Sequence, residues 1–432
     1  MLSAWMLGLG IPRLNLSRLE KDWYPEYWLL LFVSLCMFVI GYYLFDKWLG
    51  SRFDLEVRDP LPKGRTFSSS GGAGSTTRLR IIIYFLFAVS LIALATFYVR
   101  AGNFPLFAKD PDVFRFAADE QVPGLINYSA QLARLFIPLS FYLFFIEGFN
   151  WPWRKKTQPR LPLGRPQGNV PTAAYRRRHM HLVFICLIGA LSLILFTSRT
   201  QIFFVDLWVM ALYLLMRRPN LTQALKFYPV FLLISILVLA TVPLYRQYKS
   251  YGTTDYLAGV ASIDSSGFNP AGKALLPIYV GVSFNQQALL HAVEYYEMHP
   301  LQHGRVSLDP FTNLFGKAIP ALNQFKSDFD LCAIFKCWWN TGTYLFPFVQ
   351  DFGKWAFVII PLIIAGILAF VYRYWLAVKN FLSINLYAYA CFFVVMSIYL
   401  SFTVRAEMYL DLFLLLVIHL FVTRKMLSTD IA

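Results

Sequence analysis

Apolar runs about twenty residues long recur along this chain, broken by short stretches that hold most of its charge. They lie near 27–46, 80–99, 130–147, 180–198, 200–216, 226–245, 354–373, 383–403 and 407–423. At helical rise each can cross a hydrocarbon layer about 30 Å thick, so nine membrane-spanning helices are expected. The stretch LLPIYVGVSFNQQALLHAVEYY (275–296) starts apolar but carries Asn285, Gln286, Gln287 and His291. It reads as amphipathic, re-entrant or cavity-lining. The opening MLSAWMLGLGIPRLNL lacks a basic n-region and is too short to span. It reads as an interfacial segment or the remnant of a longer first helix, rather than a cleaved signal. The expected fold is an all-α polytopic membrane domain over 1–432, with a large loop region at 246–353 that holds amphipathic helices.

Composition agrees with that pattern. The 432 residues are 57% hydrophobic and only 15% charged, against about 25% charged in soluble domains. Lys and Arg number 39 against 24 Asp and Glu. That excess sits in loops beside the apolar runs, where it sets topology, so nucleic acid is not the expected partner. Membrane lipids are.

Sidedness follows from the same loops. Eight basic residues between 154 and 178 face the single acid Glu147, which makes that loop cytoplasmic. His179 and His181 read as part of this topology charge. Alternation places 47–79, with a flexible SSSGGAGSTT tract at 68–77, inside. Residues 217–219, 372–375 and 423–425 fall inside too. Residues 100–129, the turn at Arg199, the stretch 246–353 and the turn at Arg405 fall outside.

Three arginines share the outer address: Arg199 in TSRTQ, Arg246 in VPLYRQYKS and Arg405 in FTVRAEMYLD. An arginine within a membrane helix costs about 2.5–3.5 kcal/mol on insertion scales, so it usually serves a site. The plainer alternative is snorkelling to the headgroups. Guanidinium stays charged and grips phosphate with a planar fork, so such a cluster suits a lipid-linked phosphate or diphosphate. Glu407 is a candidate general base or an ion-pair partner for Arg405. Asp411 lies one turn further on. Asp206 sits inside a helix, and His291 is the one histidine suited to accept a proton.

Other signals are weaker. Asp110-Pro111-Asp112 resembles a metal-holding D-x-D pair but also fits an ordinary turn, and no metal or other cofactor is expected. Arg115 is a further candidate for the anion site. In CWWNTGTYLFPFVQDFGKW, residues Trp338, Trp339, Asn340, Tyr344, Gln350 and Asp351 offer the aromatic and amide mixture of a sugar site. The alternative for the tryptophans is an interfacial belt. Cys36, Cys186 and Cys391 read as inert core thiols, whereas Cys332 and Cys337 could pair outside the cell.

Taken in order, these landmarks resemble the oligosaccharide repeat-unit polymerases, the Wzy-type O-antigen polymerase family that includes the enterobacterial common antigen polymerase. The pattern comprises GNFPLF (102–107) with DPDVFRF, VPG (122–124), SRT (198–200), YRQY (245–248), NTGTYLFPFVQDFG (340–353) and VRAE (404–407). The resemblance implies about nine to eleven spans in a GT-C-like architecture in the bacterial inner membrane. It implies an enzyme that joins oligosaccharide units carried on undecaprenyl diphosphate at the periplasmic face, with a chain-length regulator protein among its partners. Arg199, Arg246 and Arg405 would hold the diphosphate. Two departures stand out: the N-terminus is shorter by about a helix, and Glu407 stands one residue further from Arg405 than in the adjacent Arg-Glu of the common antigen polymerase. A ligase that moves finished glycan, or a transporter of lipid-linked oligosaccharide, would share many of these features.

Overall fold

The computed structural model describes residues 16–17, 23–52, 73–147, 172–197, 199–217, 240–315, 319–327, 342–378, 380–397 and 405–423, with isolated positions at 229, 233, 237 and 334. Strand pairing among them is one isolated antiparallel bridge, Ser17 with Ile263. All other regular structure is helical. The helices are α1 (Pro25–Arg52), α2 (Ala73–Ala101), α3 (Pro111–Gln121), α4 (Gly124–Ala130), α5 (Ala133–Ile146), α6 (Thr172–Leu195) and α7 (Arg199–Arg217). Helical turns over 240–251 form α8. Then come α9 (Tyr256–Val260), α10 (Pro270–Met298), α11 (Arg305–Phe315), α12 (Phe346–Phe352), α13 (Ala356–Val378), α14 (Phe381–Met396) and α15 (Ala406–Thr423).

Five stretches among the described residues are long and apolar enough to cross a membrane: Pro25–Ser51, Ser75–Ala101, Gly124–Ile146, Phe346–Val378 and Ala406–Thr423. Three shorter apolar helices cover His179–Leu195, Thr200–Met216 and Phe381–Met396. The chain is therefore an all-α membrane protein, with fewer full-length spans described than the nine expected. The 180–198 run ends early because the chain turns at Thr197, whose φ is 50°. Most of the expected 226–245 span lies outside the described residues. The tract at 68–77 is also shorter than expected, since its last five residues are the first turns of α2. Once an apolar run nucleates a helix, propagation costs little, so neighbouring polar residues are drawn in.

Local chemistry explains several starts. Asp110 and Asn269 each precede a proline at the first helical position. Asp110 Oδ1 accepts the Val113 N–H at 3.1 Å, and Asn269 Oδ1 accepts that of Gly272 at 2.8 Å. A side-chain acceptor and a ring that presets φ together fix where α3 and α10 begin.

The residues group into two units: 1–54 with 236–376 and 389–410, and 55–235 with 377–388 and 411–432. In the first, α1 buries Tyr27, Leu31, Ser34 and Phe38, one stripe at helical spacing. Its other face exposes Leu29, Phe32, Val39, Tyr43 and Leu44. A helix apolar on its exposed face belongs in lipid. α1 and α13 run parallel: Glu26 pairs with Lys354 at their starts, and Asp46 meets Arg373 at their ends. Gly41 lies against Leu362, and Gly366 against Phe45, so small residues let the two backbones close up. Parallel travel is what the expected sidedness requires of these two spans.

In the second unit α2, α5, α6 and α7 pack as neighbours. At one end Arg80, Glu147 and His179 meet. Arg80 Nη2 donates to both Glu147 oxygens at 2.8 and 2.9 Å, and His179 Nε2 lies 3.4 Å from Oε2. At the other end Phe97, Phe104 and Phe196 cluster, and the Leu106 N–H donates to the Leu195 carbonyl at 3.0 Å. The helices thus alternate up, down and up. His179 differs from its expected part in the loop charge: its side chain is 1% exposed and faces Glu147.

Candidate functional site

Arg199 opens α7 and Arg405 directly precedes α15. The Arg405 carbonyl accepts the Met408 N–H at 3.1 Å, which closes the first turn of α15. Each of these arginines therefore stands where unpaired backbone N–H groups and the positive end of the helix dipole also point. That combination of cation and donors suits an anion. The Arg405 side chain is exposed, while Glu407 sits half-buried in the first turn behind it. A carboxylate there is favoured by the same dipole.

In the unit that holds Arg405, one expected residue, Asp351, sits at the start of α11. Both Asp351 carboxylate oxygens are engaged at the start of this helix. Oδ1 accepts the Val306 N–H at 3.1 Å and Oδ2 accepts that of Ser307 at 2.8 Å, with the Ser307 hydroxyl also donating to Oδ2. Asp351 thus acts as a long-range cap, which accounts for a carboxylate at 0% exposure. One turn on, Asp309 accepts the Ser327 N–H at 3.1 Å. Burial pushes the Asp309 carboxyl above the ordinary range; the Ser327 bond and Lys326 oppose the shift, and the nearby Asp351 charge adds to it. Phe311 of α11 then meets Tyr409, two residues past Glu407, with ring centroids 4.8 Å apart.

Tyr344 is buried, with its N–H donating to the Ser397 carbonyl at 2.8 Å and its hydroxyl 3.5 Å from Ser34 Oγ. His291 is part-exposed on α10, and its Nδ1 lies 3.7 Å from Glu294 Oε2. A carboxylate beside imidazole is the arrangement that orients a proton acceptor. Arg246 is half-buried on α8; its neighbour Gln247 accepts the Leu257 N–H at 2.8 Å through Oε1. Trp338, Trp339 and Asn340, like Cys332 and Cys337, lie outside the described residues.

In the other unit Arg115 is half-buried on α3, a helix that joins the aromatic cluster through Phe114 and Ala118. Arg115 and the Arg199 backbone therefore occupy the same end of that unit. Asp110 caps α3, as described, and Asp206 is half-buried on α7.

Sequence reasoning missed Arg134. Its Nε donates to Asp411 at 3.2 Å from Oδ1, and Oδ2 is 3.1 Å away. Tyr128 gives its hydroxyl to Oδ1 at 2.9 Å, and the guanidinium lies 4.5 Å over the Tyr128 ring. Arg134 is 1% exposed. The signal was present: Arg134 is the sole charge in the apolar run 130–146. Asp411 is thereby committed to a buried ion pair. The available acid one turn earlier is Glu407.

No protein-family model, curated protein or solved structure matches this chain.

Proposed function

We propose that this protein is a glycosyltransferase of the O-antigen polymerase kind. In this reading it has nine to eleven spans in a GT-C-like arrangement in the bacterial inner membrane. It joins oligosaccharide units carried on undecaprenyl diphosphate at the periplasmic face. The observation that carries the reading is the placement of Arg199 and Arg405 at helix N-termini, on the side to which the basic-loop count assigns both turns. A diphosphate leaving group would meet guanidinium and helix donors together.

The chemistry is a transfer of the growing chain from its lipid diphosphate to a hydroxyl of the incoming unit. The anomeric C–O bond breaks, and charge develops on the diphosphate, where Arg199, Arg246 and Arg405 stabilise it. The acceptor oxygen forms the new bond and loses its proton to a base. Glu407 and His291 are the candidates for that base, and the Arg134 pair makes Asp411 the weaker one. Arg115 joins the anion site, and Tyr344 with the 338–340 segment contributes to sugar binding. No metal is required by this scheme.

The test uses purified protein and a lipid-diphosphate repeat unit. Polymerase activity gives a ladder of longer products. Transfer to a different lipid alone means a ligase, and unaltered substrate leaves the transporter reading. Arg199→Ala and Arg405→Ala should each abolish the ladder with protein still in the membrane, and lysine should restore little because it is a point charge. Normal-length polymer from the alanine variants would end the proposal.

A further inference from the structure

The unit built from 1–54, 236–376 and 389–410 carries buried polar residues within an apolar core. On α10 the run Ser283, Asn285, Gln286 and Gln287 is between 0 and 1% exposed. The Tyr27 hydroxyl donates to the Gln286 carbonyl at 3.1 Å and stands 3.5 Å from its Oε1. Seven residues along α1, about 10 Å by helical rise, Ser34 approaches the buried Tyr344 hydroxyl. α10 in turn packs against α12, which carries Gln350 at 0% exposure. A polar seam therefore runs between α1, α10 and α12, through the apolar core of this unit.

Three groups on that seam have hydrogen-bonding capacity that no protein atom meets. Gln286 Nε2, both side-chain atoms of Gln350 and Thr343 Oγ1 are buried without a partner. Buried amides are nearly always bonded, and leaving one unmet costs more than replacing it by an apolar group. Three on one seam point to a guest. The unmet set holds both donors and acceptors, so its partner must both give and accept hydrogen bonds. It is also uncharged. Among the described residues, Asp351 is the unit's only buried charged group, and its oxygens are already engaged at the start of α11. A phosphate or carboxylate would find no countercharge here.

We propose that this seam is a binding site for neutral hydroxyl oxygens, supplied by ordered water or by the hydroxyls of a sugar. The segment best placed to admit them is α12. It is seven residues long, Gly342 precedes it with no room for a Cβ against Phe346, and Gly353 follows with φ of 60°. Of the two, Gly353 holds a backbone conformation in which another residue would be strained. The site is independent of the diphosphate reading and holds for any activity of the protein.

The test is radiolytic hydroxyl labelling of the full-length protein in lipid nanodiscs, which marks buried side chains that lie beside bound water. Tyr27 and Tyr344 should label well above Phe357, which is equally buried in the apolar part of the same core. Labelling as low as that of Phe357 would show a dry seam and overturn the proposal. Repeating the experiment with maltotriose and with N,N′-diacetylchitobiose separates the sources. Loss of label with either identifies sugar hydroxyls as the guest, and unchanged label identifies water. Gln350→Leu gives a second readout. With a guest present the change removes bonds and lowers the melting temperature, whereas in a dry seam it relieves an unmet amide and raises it.

Discussion

Arg134 and Asp411 lie 277 positions apart, yet the guanidinium Nε reaches both carboxylate oxygens in a setting almost closed to solvent. Removing one partner of such a pair strands a buried charge, at about 3–5 kcal/mol. Arg134→Ala and Asp411→Ala should each lower thermal stability in detergent by that order. The double variant Arg134→Met with Asp411→Leu should recover most of it, since a well-packed apolar pair replaces the ions. A double variant as unstable as the worse single would show that the pair does more than neutralise itself. Asp309 is the opposite case. Its folded carboxyl holds its proton to higher pH than the unfolded one, so its contribution to stability is present at low pH. That contribution is lost as pH rises from about 4, the free carboxylate value, through the raised folded value. Asp309→Asn should therefore gain on the wild type across that rise and not below it, as read by melting temperature against pH. The Arg134 pairing was out of reach of the sequence because an apolar run shows that a charge is enclosed but not which distant helix will meet it.

Helices were the most legible level. The expected runs 27–46 and 407–423 correspond to Pro25–Arg52 and Ala406–Thr423, because lipid-length apolar runs leave the backbone little alternative. The 130–147 run holds but follows a separate short helix, Gly124–Ala130, bounded by Pro123 and a turn at Gln131. Where the chain buries polar residues in a core, as on α10, hydropathy gave no decision between the three readings of 275–296. Contacts between helices depend on small residues whose role no periodicity reveals. A Cβ on Gly189 would stand 2.6 Å from the Phe136 ring, so α5 and α6 touch through that glycine. Gly189→Val should overpack the contact and cost about 1–3 kcal/mol. The check is a thermal melt of the purified variant, and an unchanged midpoint would mean that the two helices part without cost.

At the scale of the whole molecule, the basic loops assign a side to each connection between the expected spans, and the relative direction of α1 and α13 bears on two of those spans. α1 and α13 run the same way. In a cysteine-free background, Glu26→Cys should react with an impermeant thiol reagent from outside, and Ser51→Cys only after the membrane is opened. Both reacting from one side would overturn the sidedness on which the arginine argument rests. The candidate site was legible as a list of residue types and not as a place. Tyr409 meets Phe311 on the helix whose start Asp351 caps and whose Asp309 accepts from Ser327, and nothing in the spacing of those residues announces α11 as their common element.

The parallel pairing of α1 with α13 also has a consequence in time. Asp46 waits for Arg373 across 327 positions. At a synthesis rate of roughly 5–20 residues per second, about 15 to 65 seconds pass between emergence of the two halves of that bond. During this interval the first helix has already left the ribosome with an unneutralised carboxylate near its end. The tie between the ends of α1 and α13 therefore closes only after translation has passed residue 373, and a nascent chain stopped short of it lacks that tie.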